Sequence, residues 1–263
     1  MKNCIYLTLL LFIIFSCSSS GSSERKDNQK QAAEASPEKA EAPSNANEVV
    51  NPGEGVELID RELLSSEPQP FTIASYYKFY SKDLEEAKRV LTTPWDDDMK
   101  PGFNSDFSDK LDTLDTKAGY MEVKTPLMDG FQYTQYVYWN LSDGRKLFAM
   151  NEVGMEPFTG EVTTDAFEFR IFNQDRWEPA EIGDLQELGN GGLKRDNELR
   201  ETALFKKAFS AYPDFLANSF VFYLPQKGKD IRVVFTEMDD AVEGEIKTIT
   251  LKFNNGRFEY LPD

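Results

Sequence analysis

The distribution of aromatic residues along this 263-residue chain constrains its fold more than any other feature of the sequence. From Ser18 to Pro70 there is no Phe, Trp or Tyr, and the segment is rich in Ser, Ala, Glu, Lys, Asn and Pro. Such a segment cannot bury enough apolar surface to offset the entropy lost on ordering, so it is predicted to be a disordered tether. From Phe71 to Asp263 aromatics are frequent, and this stretch is long enough for one domain with its own core.

Polar turns between apolar segments predict β-hairpins in this domain. Residues 133–141 lead into Ser-Asp-Gly and return as residues 146–153. Residues 249–253 lead into Asn-Asn-Gly and return as residues 257–260, and Asn-Gly suits the positive φ angles of a type I′ turn. Residues 167–171 alternate between apolar and charged side chains before an Asn-Gln-Asp turn, which is typical of a half-buried strand.

Further segments complete the predicted order of elements. Residues 220–224 and 231–235 are predicted to pair around a Gln-Lys-Gly-Lys turn, because both are rich in β-branched and aromatic residues. Residues 71–80 are also predicted to be a strand, and residues 96–116 a polar loop. Residues 56–64 have enough apolar content for either a short helix or an edge strand.

Two segments have the spacing of amphipathic helices. Residues 82–91 are predicted to form one, with Ser81 as N-cap and Pro94 beyond its end. Residues 198–212 are predicted to form the other, with Pro213 as its stop. The apolar face of this second helix consists of Leu204, Phe205, Ala208, Phe209 and Tyr212.

The N-terminus carries the pattern of an export signal. Lys2 precedes an apolar run at residues 5–15, which is shorter than the roughly 20 residues that a membrane-spanning helix needs. Cys17 follows at once and is succeeded by a serine-rich stretch. This arrangement resembles the lipobox and tether of bacterial lipoproteins, particularly those of Bacteroidota. The resemblance implies cleavage after residue 16 and lipidation of Cys17 with a diacylglyceryl group and an acyl chain, which together anchor a protein firmly.

The predicted organisation is therefore a signal peptide at residues 1–16, a lipid-anchored tether at residues 17–70 and a single globular domain at residues 71–263. The predicted fold class is α+β and β-dominated: an antiparallel sheet of hairpins with one or two helices packed on a face. The strand–Asp-Gly–strand hairpin of residues 133–153 resembles those of β-rich bacterial lipoprotein domains, and this resemblance implies no catalytic residue.

The composition excludes several classes of chemistry. The chain contains no histidine, and its two cysteines are Cys4, inside the predicted signal peptide, and Cys17 at the predicted lipid site. Catalytic Ser-His-Asp triads, cysteine nucleophiles and histidine-ligated zinc are therefore excluded from the predicted mature domain. The net charge of −17 argues against nucleic-acid binding, which needs clustered Lys and Arg.

Three kinds of site remain open in the sequence. Paired carboxylates serve glycosidases, but no motif singles out a pair among the 46 acidic residues. Acidic residues in the segment 96–112 offer oxygen ligands for calcium without EF-hand spacing, and a solvated loop is the alternative. Trp95, Trp139 and Trp177 would form either a sugar-stacking surface or part of the core. Because residues 133–141 carry aromatics on both faces, core packing on both sides is the default prediction there, and a face left open would instead be a binding patch.

These observations favour a cell-envelope lipoprotein, held by its lipid at the outer membrane or the cell surface, with a periplasm-facing position left open. Its domain is predicted to be a non-catalytic binding or assembly module with a protein or glycan partner and no cofactor. The alternative is a carboxylate-dependent enzyme that acts on glycans, for which no catalytic residue is identified.

Overall fold

The computed structural model of the protein describes residues 55–96, 107–127, 130–155, 162–188, 196–217, 219–236 and 246–262. The strands in these residues are β1 (Glu57–Leu58), β2 (Lys110–Asp115), β3 (Tyr120–Pro126), β4 (Phe131–Asn140), β5 (Lys146–Met155), β6 (Val162–Asn173), β7 (Arg176–Pro179), β8 (Ser219–Tyr223), β9 (Ile231–Thr236), β10 (Ile246–Asn254) and β11 (Arg257–Tyr260). The helices are α1 (Arg61–Ser66), α2 (Ile73–Tyr80), α3 (Leu84–Thr92), α4 (Asp196–Glu201) and α5 (Ala203–Phe209), with a 3₁₀ helix at Asp184–Leu188.

The strands form two antiparallel sheets. The larger sheet has the order β1-β7-β6-β5-β4-β3-β2, and the smaller sheet has the order β11-β10-β9-β8. The predicted β-dominated α+β fold is confirmed, with α2 and α3 packed on one face of the larger sheet. The structure adds a second sheet, which packs on the opposite face.

The core on the helix side of the larger sheet is rich in aromatic residues. Tyr76 and Phe79 of α2 pack with Phe172 of β6, and their ring centroids lie 5.1 and 5.9 Å from its ring. Trp177 of β7 is almost fully buried beneath them and donates from its indole N–H to the Phe79 carbonyl at 3.1 Å. Burial of each such side chain stabilises the fold by about 1.5–3 kcal/mol.

The core between the two sheets is larger. Trp139 of β4 and Phe169 of β6 face Phe258 of β11, with ring centroids 5.1 and 5.7 Å from it. At one end of this core, α4, α5 and the 3₁₀ helix insert apolar side chains, among them Phe205 of α5, between the two sheets. The residues that these helical elements contribute are Leu185, Leu188, Leu199, Leu204, Phe205 and Phe209.

Strand β4 shows why aromatics occur on both of its faces. Trp139 lies in the core between the sheets, whereas Tyr136 and Tyr138 pack against α2 on the other side. The prediction that this strand is covered on both faces is confirmed.

The predicted hairpins are confirmed with their turns. β4 and β5 pair from Asn140 opposite Lys146, and β6 and β7 from Asn173 opposite Arg176. β10 and β11 are joined by Asn255 and Gly256, whose φ angles of 46° and 98° fit the predicted type I′ turn. β8 and β9 also pair as predicted.

The prediction of a strand at residues 71–80 is wrong, because Ile73–Tyr80 is helix α2. Ile73, Tyr76, Tyr77 and Tyr80 have the i, i+3, i+4, i+7 spacing of one helical face, and all but Tyr80 are buried. A capping box between Thr72 and Ser75 fixes the start of the helix. The β propensity of these aromatics is overridden by their period and their cap.

Three other predicted boundaries change. Helix α3 is confirmed, but its N-cap is Asp83, which accepts from the Glu86 N–H at 3.0 Å, and not Ser81. The predicted polar loop at residues 96–116 contains strand β2, since Lys110–Asp115 pairs with β3. Its first part, residues 97–106, lies outside the described residues.

The single helix predicted at residues 198–212 is wrong, because it consists of α4 and α5 with a break at Thr202. Thr202 has an extended ψ of 143°, and its hydroxyl accepts from the Phe205 N–H at 3.2 Å, so it caps α5. Leu204, Phe205 and Phe209 are buried as expected, whereas Tyr212 lies beyond the helix and is exposed.

Residues 56–64 contain both alternatives that their sequence allows. Glu57–Leu58 is the edge strand β1, paired with β7, and Arg61–Ser66 is helix α1 with Asp60 as its N-cap. Both elements lie before Phe71, inside the range predicted as tether. The remaining part of that range up to residue 54, with Cys17, lies outside the described residues.

Candidate binding groove at the edge of strand β6

A groove of about 500 Å³ lies beside β6 at the place where its neighbour β7 ends. β7 pairs with β6 only from Asn173 to Arg170, and its last residue, Pro179, lies opposite Arg170. β6 itself continues back to Val162. The groove therefore occupies the space that a longer β7 would fill.

Two residues shape the end of β7 beside this space. Pro179 has no N–H to donate to a ladder, so it suits the end of a strand, and the chain then turns into the 3₁₀ helix. Gly55 has a φ of 86°, and a Cβ at this position would lie 2.8 Å from Pro179 Cγ. Only glycine fits this close approach with this backbone conformation.

One wall of the groove is polar and lies on the helix side of the sheet. The Tyr80 hydroxyl donates to Glu168 at 2.6 Å. Arg170 donates from Nε to Glu168 and from Nη1 to Glu57, the latter at 2.9 Å. Burial and the neighbouring Glu168 carboxylate raise the pKa of Tyr80, so the phenol stays protonated and remains a donor. The charges of this wall are therefore already partnered within the protein.

The other wall is apolar and lies on the side of the smaller sheet. It is formed by Phe167, Phe169, Ala180 and Ile182. Phe167 packs edge-to-face against Phe222 of β8 at a centroid distance of 5.0 Å, so the core between the sheets holds this wall in place. Gln186 of the 3₁₀ helix also lines the groove and is exposed.

Sequence reasoning missed this groove, although one signal was present. The pattern of β6 predicts a strand before the Asn-Gln-Asp turn, and Pro179 then limits the return strand to four residues. A long strand followed by a short partner leaves part of one edge unpaired. Which residues then line that edge depends on distant segments such as Gly55 and Gln186, and no local pattern predicts them.

The acidic segment considered for calcium is used in other ways where the structure describes it. Asp109 accepts from the Thr125 hydroxyl at 2.6 Å, and Asp112 pairs with Lys124 at 2.5 Å. Within the described ranges, no group of three or more His, Cys, Asp or Glu side chains is arranged to hold a metal ion. Asp97, Asp98 and Asp106 lie outside those ranges.

One pair of carboxylates, Glu152 and Asp165, lies close enough for its charges to interact. Burial and the neighbouring Asp165 carboxylate raise the pKa of Glu152 on β5. Gln132 donates to Glu152, and the Asp165 carboxylate lies against Gly154, where an added Cβ would be 2.0 Å from its Oδ2. Glu152 is thus a half-buried carboxyl beside a second, exposed one.

The three tryptophans do not form one stacking surface. Trp139 and Trp177 are buried in the two different cores, on opposite faces of the larger sheet. Trp95 packs edge-to-face on Phe131 at 5.1 Å, with the Lys124 ammonium 5.5 Å from its ring centroid. The alternative of core packing is therefore confirmed for Trp139 and Trp177.

A second depression of about 420 Å³ lies between the β4–β5 and β6–β7 turns. Its most prominent cation, Arg145, is paired with Asp143 at 2.8 Å and with Glu178 at 3.3 Å. Tyr76 and Phe172 at its base are buried in the helix-side core. The larger volume and the apolar wall formed by Phe167 and Phe169 favour the β6 groove as the candidate site.

No protein-family model matches this chain, and neither a curated protein nor a solved structure shows significant similarity to it. In the ranges that the structure describes, no helix combines the length and apolarity needed to cross a membrane.

Proposed function

We propose that this protein is a cell-envelope lipoprotein, anchored through Cys17, whose domain is a non-catalytic binding or assembly module. The sequence around Cys17 supports the anchor. The groove beside β6 supports the binding role, because a cleft of this size with one apolar and one polar wall is typical of recognition sites.

The chemistry of the groove favours binding over catalysis. Its ionisable groups, Glu168 and Arg170, are tied to each other and to Tyr80 and Glu57. A general acid or nucleophile has to face substrate with its proton or lone pair available, whereas these groups are engaged in fixed pairs. The same pairs present a rigid polar surface, which reduces the entropy cost of binding a partner.

The second candidate is a carboxylate-dependent enzyme that acts on glycans, and the raised pKa of Glu152 beside Asp165 favours it. A glycosidase needs one protonated carboxyl as acid and one ionised carboxylate as base or nucleophile. Purified protein would be incubated with a panel of polysaccharides that includes those of the bacterial envelope, with Glu152→Gln and Asp165→Asn as matched variants. Release of sugar by the wild type that both variants abolish would establish the enzyme.

The anchor is tested by fractionation of cells that produce either the wild type or Cys17→Ala. The wild type is expected in the membrane fraction, and Cys17→Ala in the soluble envelope or culture fraction, because the lipid chains supply the membrane affinity. Cys4→Ala serves as the matched control and should leave the distribution unchanged. Membrane association of Cys17→Ala equal to that of the wild type would contradict the anchor.

The binding role is tested by placing a photo-crosslinking amino acid at Gln186, on the groove, and at Lys227, in the β8–β9 turn. Both positions are exposed, so neither replacement should disturb the core. A stoichiometric adduct from Gln186 that Lys227 does not give is expected in intact cells. Equal labelling from both positions, or none from Gln186, would refute the groove as a binding site.

A further inference from the structure

Several unpaired strand edges are covered by side chains or by other backbone segments in this fold. In the smaller sheet, β8 is an edge strand that lies on the face of the larger sheet. Its Phe222 N–H donates to the Thr164 hydroxyl at 3.1 Å, and its Phe222 carbonyl accepts from Asn151 at 2.8 Å. Its Leu224 N–H donates to Gln135 Oε1 at 3.1 Å. Side chains of the larger sheet thus take the place of a neighbouring strand.

The other edge of the smaller sheet is covered in a similar way. The Phe258 N–H of β11 donates to the Ile182 carbonyl at 3.0 Å, and the Tyr260 N–H donates to the Asp184 carboxylate at 2.8 Å. In the larger sheet, Leu111 of β2 exchanges backbone hydrogen bonds with Thr93 and Trp95. Proteins cover edges in these ways because open ladders of N–H and C=O groups pair with other chains.

The long edge of β6 has no such cover among the residues that the structure describes. From Val162 to Phe169, β6 pairs with β5 on one side, and no described strand pairs with it on the other. Arg170 lies opposite Pro179, which has no N–H, so these two residues form a non-hydrogen-bonded pair and Ile171 is the residue that exchanges hydrogen bonds with β7. Phe167 has the same parity as Ile171, so its N–H and C=O point into the groove. By the same alternation, Glu168 directs its backbone groups to Met150 of β5, which lies opposite it.

We infer that β6 accepts an extended segment of another protein, which adds to the larger sheet as a strand in the groove. The inference rests on the proposed binding role of this groove and specifies its partner. An added strand would hydrogen-bond to the backbone at Phe167, and its side chains would alternate between the two walls. Residues on one side would contact Phe169 and Ile182, and residues on the other would lie beside Glu168.

This geometry determines the chemistry of the partner. The side chains that face the aromatic wall should be apolar. Those that face the polar wall should be basic, because Glu57 and Glu168 outnumber Arg170 there and the whole chain carries a net charge of −17. The partner is therefore an extended, proline-free segment in which apolar residues alternate with Lys or Arg.

The first experiment measures amide hydrogen exchange by NMR in the full chain, without any partner. The Phe167 amide is expected to exchange on the order of 100-fold or more faster than the Glu168 amide, because only Glu168 has a ladder partner. Equal protection of the two amides in the isolated protein would overturn the inference, since the edge would then already be covered.

The second experiment adds a blocked six-residue peptide of alternating lysine and valine. Saturable protection of the Phe167 amide is expected, with at least a tenfold slower exchange. The control peptide has a central valine replaced by proline. On the protein side, Gln186→Trp fills the groove, and Lys227→Trp is its matched control because it lies away from the groove. Strand addition would be refuted if both peptides slowed exchange of the Phe167 amide equally, or if millimolar peptide gave that amide no protection. It would also be refuted if the alternating peptide bound Gln186→Trp as well as it binds the wild type.

The two proposals fail separately. A partner captured from Gln186 that leaves the Phe167 amide unprotected in the complex would keep the groove as a binding site and refute strand addition. Protection of Phe167 by the alternating peptide, without any adduct from Gln186 in cells, would support the open edge and refute the groove's role in the envelope.

Discussion

The side chains that cover the edge of β8 provide a sharp test of the fold. Thr164 of β6 is buried, and its hydroxyl accepts from the Phe222 N–H at 3.1 Å. Thr164→Val keeps the size and branching of the side chain but removes the acceptor. Phe222 is completely buried, so its N–H would have no water to replace the lost partner.

The expected loss of stability follows from that orphaned donor. A buried N–H without a partner costs about 1–3 kcal/mol, whereas an exposed Thr→Val change on a strand typically stays within about 0.5 kcal/mol of zero. For a domain of this size, a loss of about 2 kcal/mol corresponds to a decrease in Tm of roughly 4–8 °C.

Urea unfolding at 25 °C, followed by tryptophan fluorescence, measures the change because Trp139 and Trp177 report on the two cores. Thr248→Val is the matched control, since Thr248 is exposed on β10. Thr164→Val should also speed exchange of the Phe222 amide, whereas the control should not. If the two variants have the same stability, side chains of the larger sheet do not seal this edge.

Three further changes test other parts of the structure. Gly256→Ala should destabilise the domain by ~1–2 kcal/mol, because Gly256 has a φ of 98° and an added Cβ would lie 3.2 Å from Leu141. Gly130→Ala, where an added Cβ meets no atom within 4 Å, is its control in urea unfolding and should be neutral. Burial raises the pKa of Glu152 in the folded protein above its value in the unfolded chain. The stability that this titration contributes is fully present below the unfolded pKa, and it is lost as pH rises through the folded pKa. Glu152→Gln should therefore raise the urea midpoint at pH 7 but not below about pH 4, and a pH-independent difference would contradict this assignment. Tyr80→Phe removes a hydrogen bond to the groove carboxylate and should lower the unfolding free energy by about 1 kcal/mol, whereas an unchanged urea midpoint would contradict the role of that bond.

Local turn chemistry explains which elements could be predicted from the sequence. Asn255-Gly256 and Asp143-Gly144 fix their hairpins through backbone angles that few residue pairs adopt, so no tertiary information was needed. The residues of α2 give two conflicting signals, because aromatics favour strands whereas Ile73, Tyr76 and Tyr77 have the spacing of one helical face. The spacing was the better guide, since it records which side chains share a buried face.

The candidate site could not be predicted because its parts are distant in the sequence. Glu57, Tyr80 and Glu168 meet only when β1, α2 and β6 come together. Pro179 was the one local sign, as it limits β7 to a short strand. The hydrogen bonds to the edge of β8 could not be predicted either, because Gln135 and Asn151 occur in the sequence as ordinary polar residues of half-buried strands.

The larger sheet separates two cores, and its central strands belong to both. Along β4, Tyr138 and Trp139 are neighbours in sequence, yet they pack into different cores. If either layer detached, the strands that support the other layer would lose the packing on one of their faces. Both layers are therefore expected to unfold together, in one cooperative transition, and a defect on the helix side should weaken the smaller sheet's attachment as well.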